Sequence, residues 1–174
     1  MRVLFTAQPG TGHWRPLAPL AAALLAAGHE AAFAISPGFC ATLEEFGFRC
    51  FPMGWDDYRA DFERHRAGLA PAVPPSSAAV MADVFLPRSA RNLPELLAAG
   101  RGWRPDVVVR EPTEYAGALA AELLGVPCAT LQISAYRPHL SHALAEPLAR
   151  LRGELGLPPD PDLAGLTGAL LLLP

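Results

Sequence analysis

The stretch of residues 1–20, MRVLFTAQPGTGHWRPLAPL, decides the fold because it reads as a strand, a glycine-rich turn and a helix. The apolar run at residues 3–5 is typical of a central strand in a parallel sheet. Residues 9–12 then break the chain, and Pro16 suits the first turn of a helix. Apolar residues follow at helical spacing, and Gly28 stands where a C-cap glycine would. The segment therefore predicts the first strand–turn–helix unit of an α/β fold.

Strand and helix patterns alternate along the rest of the chain. The apolar runs predict strands over residues 30–35, 48–51, 107–109 and 127–133, with a last one over 169–173. Helices are predicted over residues 39–46, 80–99, 113–124 and 139–153, with kinks or breaks at Pro87 and Pro94. Residues 53–77 lack clear periodicity, which is typical of a binding loop or of a disordered surface excursion. The alternation favours a doubly wound parallel sheet of Rossmann-like α/β class.

Composition limits the class of protein. The 174 residues are 51% hydrophobic and 18% charged with a net charge of −3, which excludes a disordered chain and gives no electrostatic case for nucleic acid. The length suits one domain. We find no secretion signal and no apolar stretch of membrane-spanning length, so we predict a cytoplasmic protein. The three scattered cysteines, Cys40, Cys50 and Cys128, are predicted to be buried thiols in a reducing compartment.

Two polar residues stand just after predicted strands. His13 follows the first strand, and Glu111 follows the strand at residues 107–109. Ligands bind at the carboxyl ends of strands in open α/β sheets, so both side chains are candidates for one site. A histidine held by a carboxylate makes a general base. Alternatively, His13 caps the next helix and Glu111 is an exposed loop residue.

The glycine-rich turn also permits a dinucleotide site. Gly10 and Gly12 supply the first two glycines of G-x-G-x-x-G, but Arg15 occupies the third position. Ser36 stands at the end of the second strand, where an acidic residue is expected to bind the ribose. The backbone N–H groups of the turn would still suit an anion.

Other candidate groups have both a functional and a purely structural interpretation. His139 and His142 have helical spacing but lack further ligands at metal-site spacing, so no metal is predicted. Arg110, like the other arginines of its region, is predicted to face solvent. The aromatic residues that could line a pocket for a flat apolar ligand, or simply pack, are Trp55, Tyr58, Phe85 and Tyr136.

Two stretches resemble a known family. Residues 9–30, PGTGHWRPLAPLAAALLAAGHE, and residues 105–127, PDVVVREPTEYAGALAAELLGVP, are similar to the amino-terminal domain of GT-B-fold glycosyltransferases. These enzymes transfer sugars from nucleotide-sugars to lipophilic small-molecule acceptors such as macrolides, aromatic polyketides, glycopeptides and flavonoids. The resemblance implies one Rossmann-like acceptor-binding domain over residues 1–174. Its unmatched part, about residues 53–99, is variable in the family and shapes acceptor choice.

The resemblance also implies roles for individual residues. His13 would be the catalytic base, oriented by Glu111 at a position where the family often has Asp. Thr11 and Gly12 would approach the donor diphosphate. The residues expected near the acceptor are Trp14, Trp55, Tyr58, Phe85 and Tyr136. The implied reaction is a single inverting displacement with no bound metal or cofactor, and a UDP- or dTDP-sugar serves as co-substrate.

The chain departs from the family in one large respect. The second, nucleotide-sugar domain is absent, and an apolar strand-like run reaches Pro174. We therefore expect a truncated form, a split gene product or one domain of a larger enzyme, inactive alone. The exposed interdomain face could then form a homodimer. The alternatives are a non-catalytic ligand-binding or partner domain derived from such an enzyme and, less favoured, a dinucleotide-binding oxidoreductase domain.

Overall fold

The computed structural model describes residues 1–56, 77–133 and 143–172, with the isolated positions 60, 63 and 67. Its strands form one parallel sheet in the order β3-β2-β1-β4-β5-β6. The strands are β1 (Arg2–Thr6), β2 (Glu30–Ile35), β3 (Arg49–Pro52), β4 (Val107–Arg110), β5 (Cys128–Leu131) and β6 (Leu170–Leu172). The strand order reverses between β1 and β4, which are hydrogen-bonded neighbours. The predicted doubly wound, Rossmann-like fold is confirmed.

Helices connect the strands. They are α1 (Thr11–Trp14), α2 (Ala18–Ala26), α3 (Pro37–Glu45), α4 (Ser77–Val80), α5 (Leu86–Trp103), α6 (Ala116–Leu124) and α7 (Ala145–Glu154). A π-helical segment, Met81–Phe85, joins α4 to α5, and a 3₁₀ turn, Ala164–Leu166, precedes β6. The last predicted helix, over residues 139–153, corresponds to α7 from Ala145 onward, and residues 139–142 lie outside the described part of the chain.

The helices differ from the prediction in two places. The helix expected from Pro16 is α2, and a short helix, α1, precedes Pro16 and overlaps the predicted turn. Pro94 does not end α5, which continues to Trp103 with the proline inside it. The packing of α5 against α6 and the sheet outweighs the hydrogen bond that Pro94 cannot donate. Gly28 and Gly125 adopt positive φ angles of 80° and 69°, as helix-ending glycines do.

Apolar side chains fill both faces of the sheet. Successive residues of a strand point to opposite faces, so Leu4 enters one core cluster while its neighbours Val3 and Phe5 enter another. The first cluster packs beneath α5, α6 and α7, and the second beneath α2 and α3. Two layers of helices thus hold the sheet rigidly and leave the carboxyl ends of its strands free to carry loops.

The prediction of three thiols was wrong for two of the cysteines. Cys40 of α3 and Cys50 of β3 form a disulfide, with their Cα atoms 5.3 Å apart. The return from α3 into the adjacent strand brings together residues that are only ten positions apart, which the scattered sequence spacing did not reveal. Cys128 is a free, buried thiol as predicted, and burial raises its pKa to about 11. The cysteines therefore no longer support a reducing compartment.

Candidate active site at the carboxyl ends of β1 and β4

The strand register explains why the two candidate residues meet. Thr6 at the end of β1 pairs with Arg110 at the end of β4, so the loops that follow start side by side. Glu111 comes directly after β4, and His13 lies in α1, which follows the turn after β1. Gly10 makes room for the imidazole, because a Cβ atom at this position would lie 3.0 Å from Cδ2 of His13.

His13 and Glu111 form a direct contact. Nδ1 of His13 lies 3.0 Å from Oε1 of Glu111, with 23% of the histidine side chain exposed and none of the glutamate. The predicted proximity is therefore confirmed, and the two alternatives, a helix cap and an exposed loop residue, do not describe these side chains. Since Nδ1 faces the carboxylate, Nε2 is the ring nitrogen that remains for another partner.

Two residues that hold the carboxylate were not predicted from the sequence. The backbone N–H of Gln8 donates to Oε1 of Glu111 at 3.2 Å, and that of Thr113 donates to Oε2 at 2.7 Å. The Thr113 hydroxyl lies 2.8 Å from Oε1 and 2.9 Å from Oε2. Nothing in the sequence E-P-T marked Thr113, because its hydroxyl reaches the carboxylate only when the turn folds back on Glu111.

The contact changes the acidity of both groups. Burial of Glu111 would raise its pKa, but hydrogen bonds and charge attraction from His13, with the Thr113 donors, lower that pKa below the usual value. Burial of His13 would lower its pKa, but the hydrogen bond and charge of Glu111 raise it above the usual value. The carboxylate therefore stays ionised, and the imidazole becomes a stronger base than a free histidine.

Arg110 lies beneath this site, so the prediction that it faces solvent was wrong. It is 1% exposed, because it ends a central strand covered on both faces. One guanidinium nitrogen donates to the backbone carbonyls of Glu111, Pro112 and Glu114, at 3.2, 3.2 and 2.8 Å, and another to that of Leu166. These carbonyls pair two of the three guanidinium nitrogens and fix the turn that carries Glu111, while the buried Nε of Arg110 has no hydrogen-bond partner among the described residues.

A second buried carboxylate follows in the same turn. Glu114 is 1% exposed and accepts hydrogen bonds from the backbone N–H groups of Ala116 and Gly117, at 2.9 and 2.7 Å. Burial and the charge of Glu111 raise its pKa, although the Thr6 hydroxyl, the backbone N–H of Gly117 and the charge of Arg110 oppose the effect. Glu114 thus anchors the start of α6.

The residues predicted near the acceptor fall into different places. Phe85, in the π-helical segment, meets His13 edge-on with the ring centroids 6.1 Å apart. Trp55 packs instead against the guanidinium groups of Arg88 and Arg91, at 4.4 and 5.2 Å. Of these two aromatic residues, Phe85 is therefore the one that meets the imidazole.

Trp14 is 3% exposed in the second core cluster, with its ring centroid 5.9 Å from that of Phe46. This burial favours packing over contact with a ligand. Tyr58 and Tyr136 lie outside the described residues.

The remaining candidates bear on donor, dinucleotide and metal binding. Thr11 and Gly12 are exposed in α1, next to His13. Ser36 is buried at the end of β2, so no carboxylate stands there for a ribose.

Within the described residues, we find no group of three His, Cys, Asp or Glu side chains suited to a metal. His139 and His142 lie outside that part. None of the described helices is both long and apolar enough to cross a membrane.

A family model and several named relatives match most of this chain. Residues 22–157 match the family model described as erythromycin biosynthesis protein CIII-like, N-terminal domain. The chain is 34% identical to 10-deoxymethynolide desosaminyltransferase of Streptomyces venezuelae over 72% of its own length and 34% of that protein. It is 30% identical to aklavinone 7-beta-L-rhodosaminyltransferase of Streptomyces galilaeus, covering 94% of this chain and 43% of the relative. The chain thus spans less than half the length of these relatives.

Solved structures agree with the sequence matches. The SsfS6 glycosyltransferase of Streptomyces sp. SF2575 superimposes with a TM-score of 0.78 and 31% identity, over 92% of this chain and 48% of that one. The same enzyme in complex with thymidine diphosphate gives a TM-score of 0.77 over 47% of its chain. The similarity extends over nearly all of this chain and about half of that enzyme.

Proposed function

Given that the chain belongs to the family of erythromycin biosynthesis protein CIII-like N-terminal domains, we propose that it is the acceptor-binding half of an inverting glycosyltransferase of antibiotic biosynthesis. In this proposal a sugar passes from a nucleotide-sugar to a hydroxyl group of a lipophilic small molecule. The observation that carries the proposal is the contact between Nδ1 of His13 and the buried carboxylate of Glu111.

The proposed chemistry begins with proton transfer. Nε2 of His13 takes the proton from the acceptor hydroxyl while that oxygen attacks the anomeric carbon of the sugar. The imidazolium that forms is stabilised by the ionised Glu111, which accepts a hydrogen bond from Nδ1 and carries the opposite charge. Glu111 thus orients the base and does not itself take the proton.

Displacement at carbon completes the proposed reaction. The bond from the acceptor oxygen to the anomeric carbon forms as the bond to the nucleoside diphosphate breaks, which inverts the configuration at that carbon. Thr11 and Gly12 are exposed beside the base, where the family resemblance would bring the leaving diphosphate. We favour a thymidine diphosphate sugar over a uridine one, because one structural relative is described in complex with thymidine diphosphate. Most donor contacts belong to the proposed second domain.

The acceptor is proposed to lie against Phe85. An aromatic ring at 6.1 Å from the imidazole provides an apolar wall next to the base, and two relatives are named for 10-deoxymethynolide and aklavinone. Residues 53–99 remain the proposed acceptor-choosing region. Trp55, Tyr58 and Tyr136 stay candidates within this proposal, without a described contact to the imidazole.

Replacement of His13 tests the assignment of the base. In the complete gene product that carries this sequence, we expect His13→Ala to slow glycosyl transfer about 10²–10⁴-fold, the typical contribution of a general base. The measurement is the initial rate with a thymidine diphosphate sugar and a panel of macrolide and polyketide aglycones. The matched control is His29→Ala, since His29 lies apart from the site and contacts the amino terminus.

The outcome separates the candidate functions. Transfer at the normal rate in His13→Ala would remove His13 from the chemistry. Aglycone binding without transfer by any tested sugar donor would instead indicate a non-catalytic binding domain. The anomeric configuration of the product, read from its proton couplings, checks the inverting displacement independently.

A homodimer is proposed for the chain when the second domain is absent. The proposed contact is the interdomain face above the carboxyl ends of the strands, where Thr11 and Gly12 are exposed beside His13. The second domain would cover this face in the complete gene product, so the dimer is proposed for the isolated chain alone.

A further inference from the structure

The hydroxyl of Thr113 lies between the carboxylate of Glu111 and the imidazole of His13. It touches both oxygens of Glu111, at 2.8 and 2.9 Å, and it also lies 3.4 Å from Nδ1 of His13. An ionised carboxylate only accepts hydrogen bonds, so the hydroxyl donates to Glu111. Thr113 is therefore in contact with both members of the pair.

Thr113 is itself held from the other side of the site. Its carbonyl accepts a hydrogen bond from Nε2 of Gln8 at 3.0 Å, and the backbone N–H of Gln8 donates to the carboxylate. Gln8 is 2% exposed in the turn after β1. The two residues therefore clamp the turn after β4 onto the turn after β1, with the carboxylate between them.

A glutamate needs such a clamp more than an aspartate would. Its side chain has one more rotatable bond, and fixing a glutamate costs up to about 2 kcal/mol of conformational entropy. Glu111 is fully buried, so a turn away from His13 would leave its charge without the imidazole as partner. Donors placed on both oxygens restrict the carboxylate to the orientation that faces Nδ1.

We propose that Thr113 is a positioning residue, whose hydroxyl holds the Glu111 carboxylate against Nδ1 of His13 and thereby leaves Nε2 free to accept a proton. The inference rests on the proposed function for its catalytic meaning, but the proton position on the ring is a property of the chain itself. When Glu111 is not held there, Nδ1 loses its acceptor, and the proton can reside on Nε2, where it blocks the base.

The test compares three forms of the chain by NMR. Long-range proton–nitrogen spectra of the His13 ring, recorded above its pKa, report which nitrogen carries the proton. We expect the proton on Nδ1 in the parent chain and in Thr113→Ser, which keeps the hydroxyl. In Thr113→Val, which keeps the shape and the backbone N–H, we expect a substantial fraction on Nε2 and a lower pKa of His13.

Two results would overturn the proposal. One is a Thr113→Val ring that keeps its proton on Nδ1 with an unchanged pKa, and the other is a Thr113→Ser ring that behaves like the valine variant. Backbone amide spectra check that each variant folds. If Thr113→Val does not, Thr113→Ala provides the same comparison with less steric change.

Kinetics in the complete gene product keep this inference separate from the proposed function. We expect Thr113→Val to lower kcat by roughly ten-fold while the acceptor KM changes less than about two-fold, with recovery in Thr113→Ser. If His13→Ala leaves transfer intact while Thr113→Val still moves the ring proton, the proposed function fails and the positioning role stands. If the ring proton does not move while His13→Ala is inactive, the positioning role fails and the proposed function stands.

Discussion

The imidazole of His13 and the carboxylate of Glu111 each favour the charged form of the other, and this links the stability of the fold to pH. The raised pKa of His13 gives stability that is fully present below its ordinary value of 6.5 and is lost as pH rises through the raised pKa. The lowered pKa of Glu111 gives stability that is present above 4.5 and is lost as pH falls through the lowered pKa. The ion pair is therefore complete between these two values.

The same contact predicts the pH dependence of the proposed reaction. Because the base proposed here must be neutral, kcat/KM of the complete gene product should rise with pH and level off, with a midpoint above 6.5. In Glu111→Gln the burial of His13 persists without the opposing charge, so we expect the midpoint to move below 6.5. The pH profile of kcat/KM in both forms measures this. Equal midpoints would mean that Glu111 does not control the proton of His13.

Some residues of the site could be predicted from the sequence, and others could not. His13 and Glu111 could be predicted because each follows a strand whose end must lie at one edge of the sheet. Thr113 was missed because its role depends on how the turn folds back on Glu111. Arg110 was predicted wrongly because one of its carbonyl partners, that of Leu166, lies 56 residues away in the chain.

At the level of elements, the contact of α6 with β1 depends on the absence of a side chain at Gly117. A Cβ atom there would overlap the hydroxyl of Thr6 and lie 2.9 Å from Oε2 of Glu114. We expect Gly117→Ala to lower the free energy of unfolding by about 1–3 kcal/mol, because the buried neighbours cannot move apart freely. Urea denaturation followed by circular dichroism provides the measurement.

The matched control is another helical glycine. Gly102 in α5 has no atom within 4 Å of an added Cβ, so Gly102→Ala should gain the helix propensity of alanine, about 0.5–1 kcal/mol. A stabilised Gly117→Ala would show that α6 is not packed as closely as described.

Element boundaries follow from local chemistry only in part. β2 occupies residues 30–35 as predicted, because a run of small and apolar residues ends at a proline–glycine pair. The short helix α1 was not predicted, since Pro9, Gly10 and Gly12 are typical of a turn. The continuation of α5 through Pro94 also needs information from packing, which the sequence pattern of a single helix does not contain.

For the whole molecule, the interdomain face gives a testable prediction. We expect the isolated chain to sediment as a concentration-dependent dimer, and Thr11→Glu to shift it to the monomer, because a buried unpaired charge is costly. Sedimentation velocity at several concentrations is the measurement, with Leu25→Glu on α2 as control. A monomer at high concentration in the parent chain would contradict the proposed dimer.

The topology of the molecule was the most predictable property. Alternating strands and helices admit few arrangements, since parallel crossovers are right-handed and consecutive elements pack together. The Cys40–Cys50 disulfide could not be predicted in this way, because it depends on how α3 packs against β3. Pairing across a crossover is a matter of tertiary geometry, for which the spacing of cysteines is a poor guide.

The π-helical segment has a consequence for engineering. A π-turn accommodates one residue more than an α-helix, and each residue of an α-helix turns the chain by about 100°. Deleting one residue from Met81–Phe85 would restore a regular α-helix, and the residues of the segment, Phe85 among them, would shift relative to the imidazole. Helix swaps between relatives should therefore keep this segment intact with Leu86, since its register carries Phe85 to the imidazole.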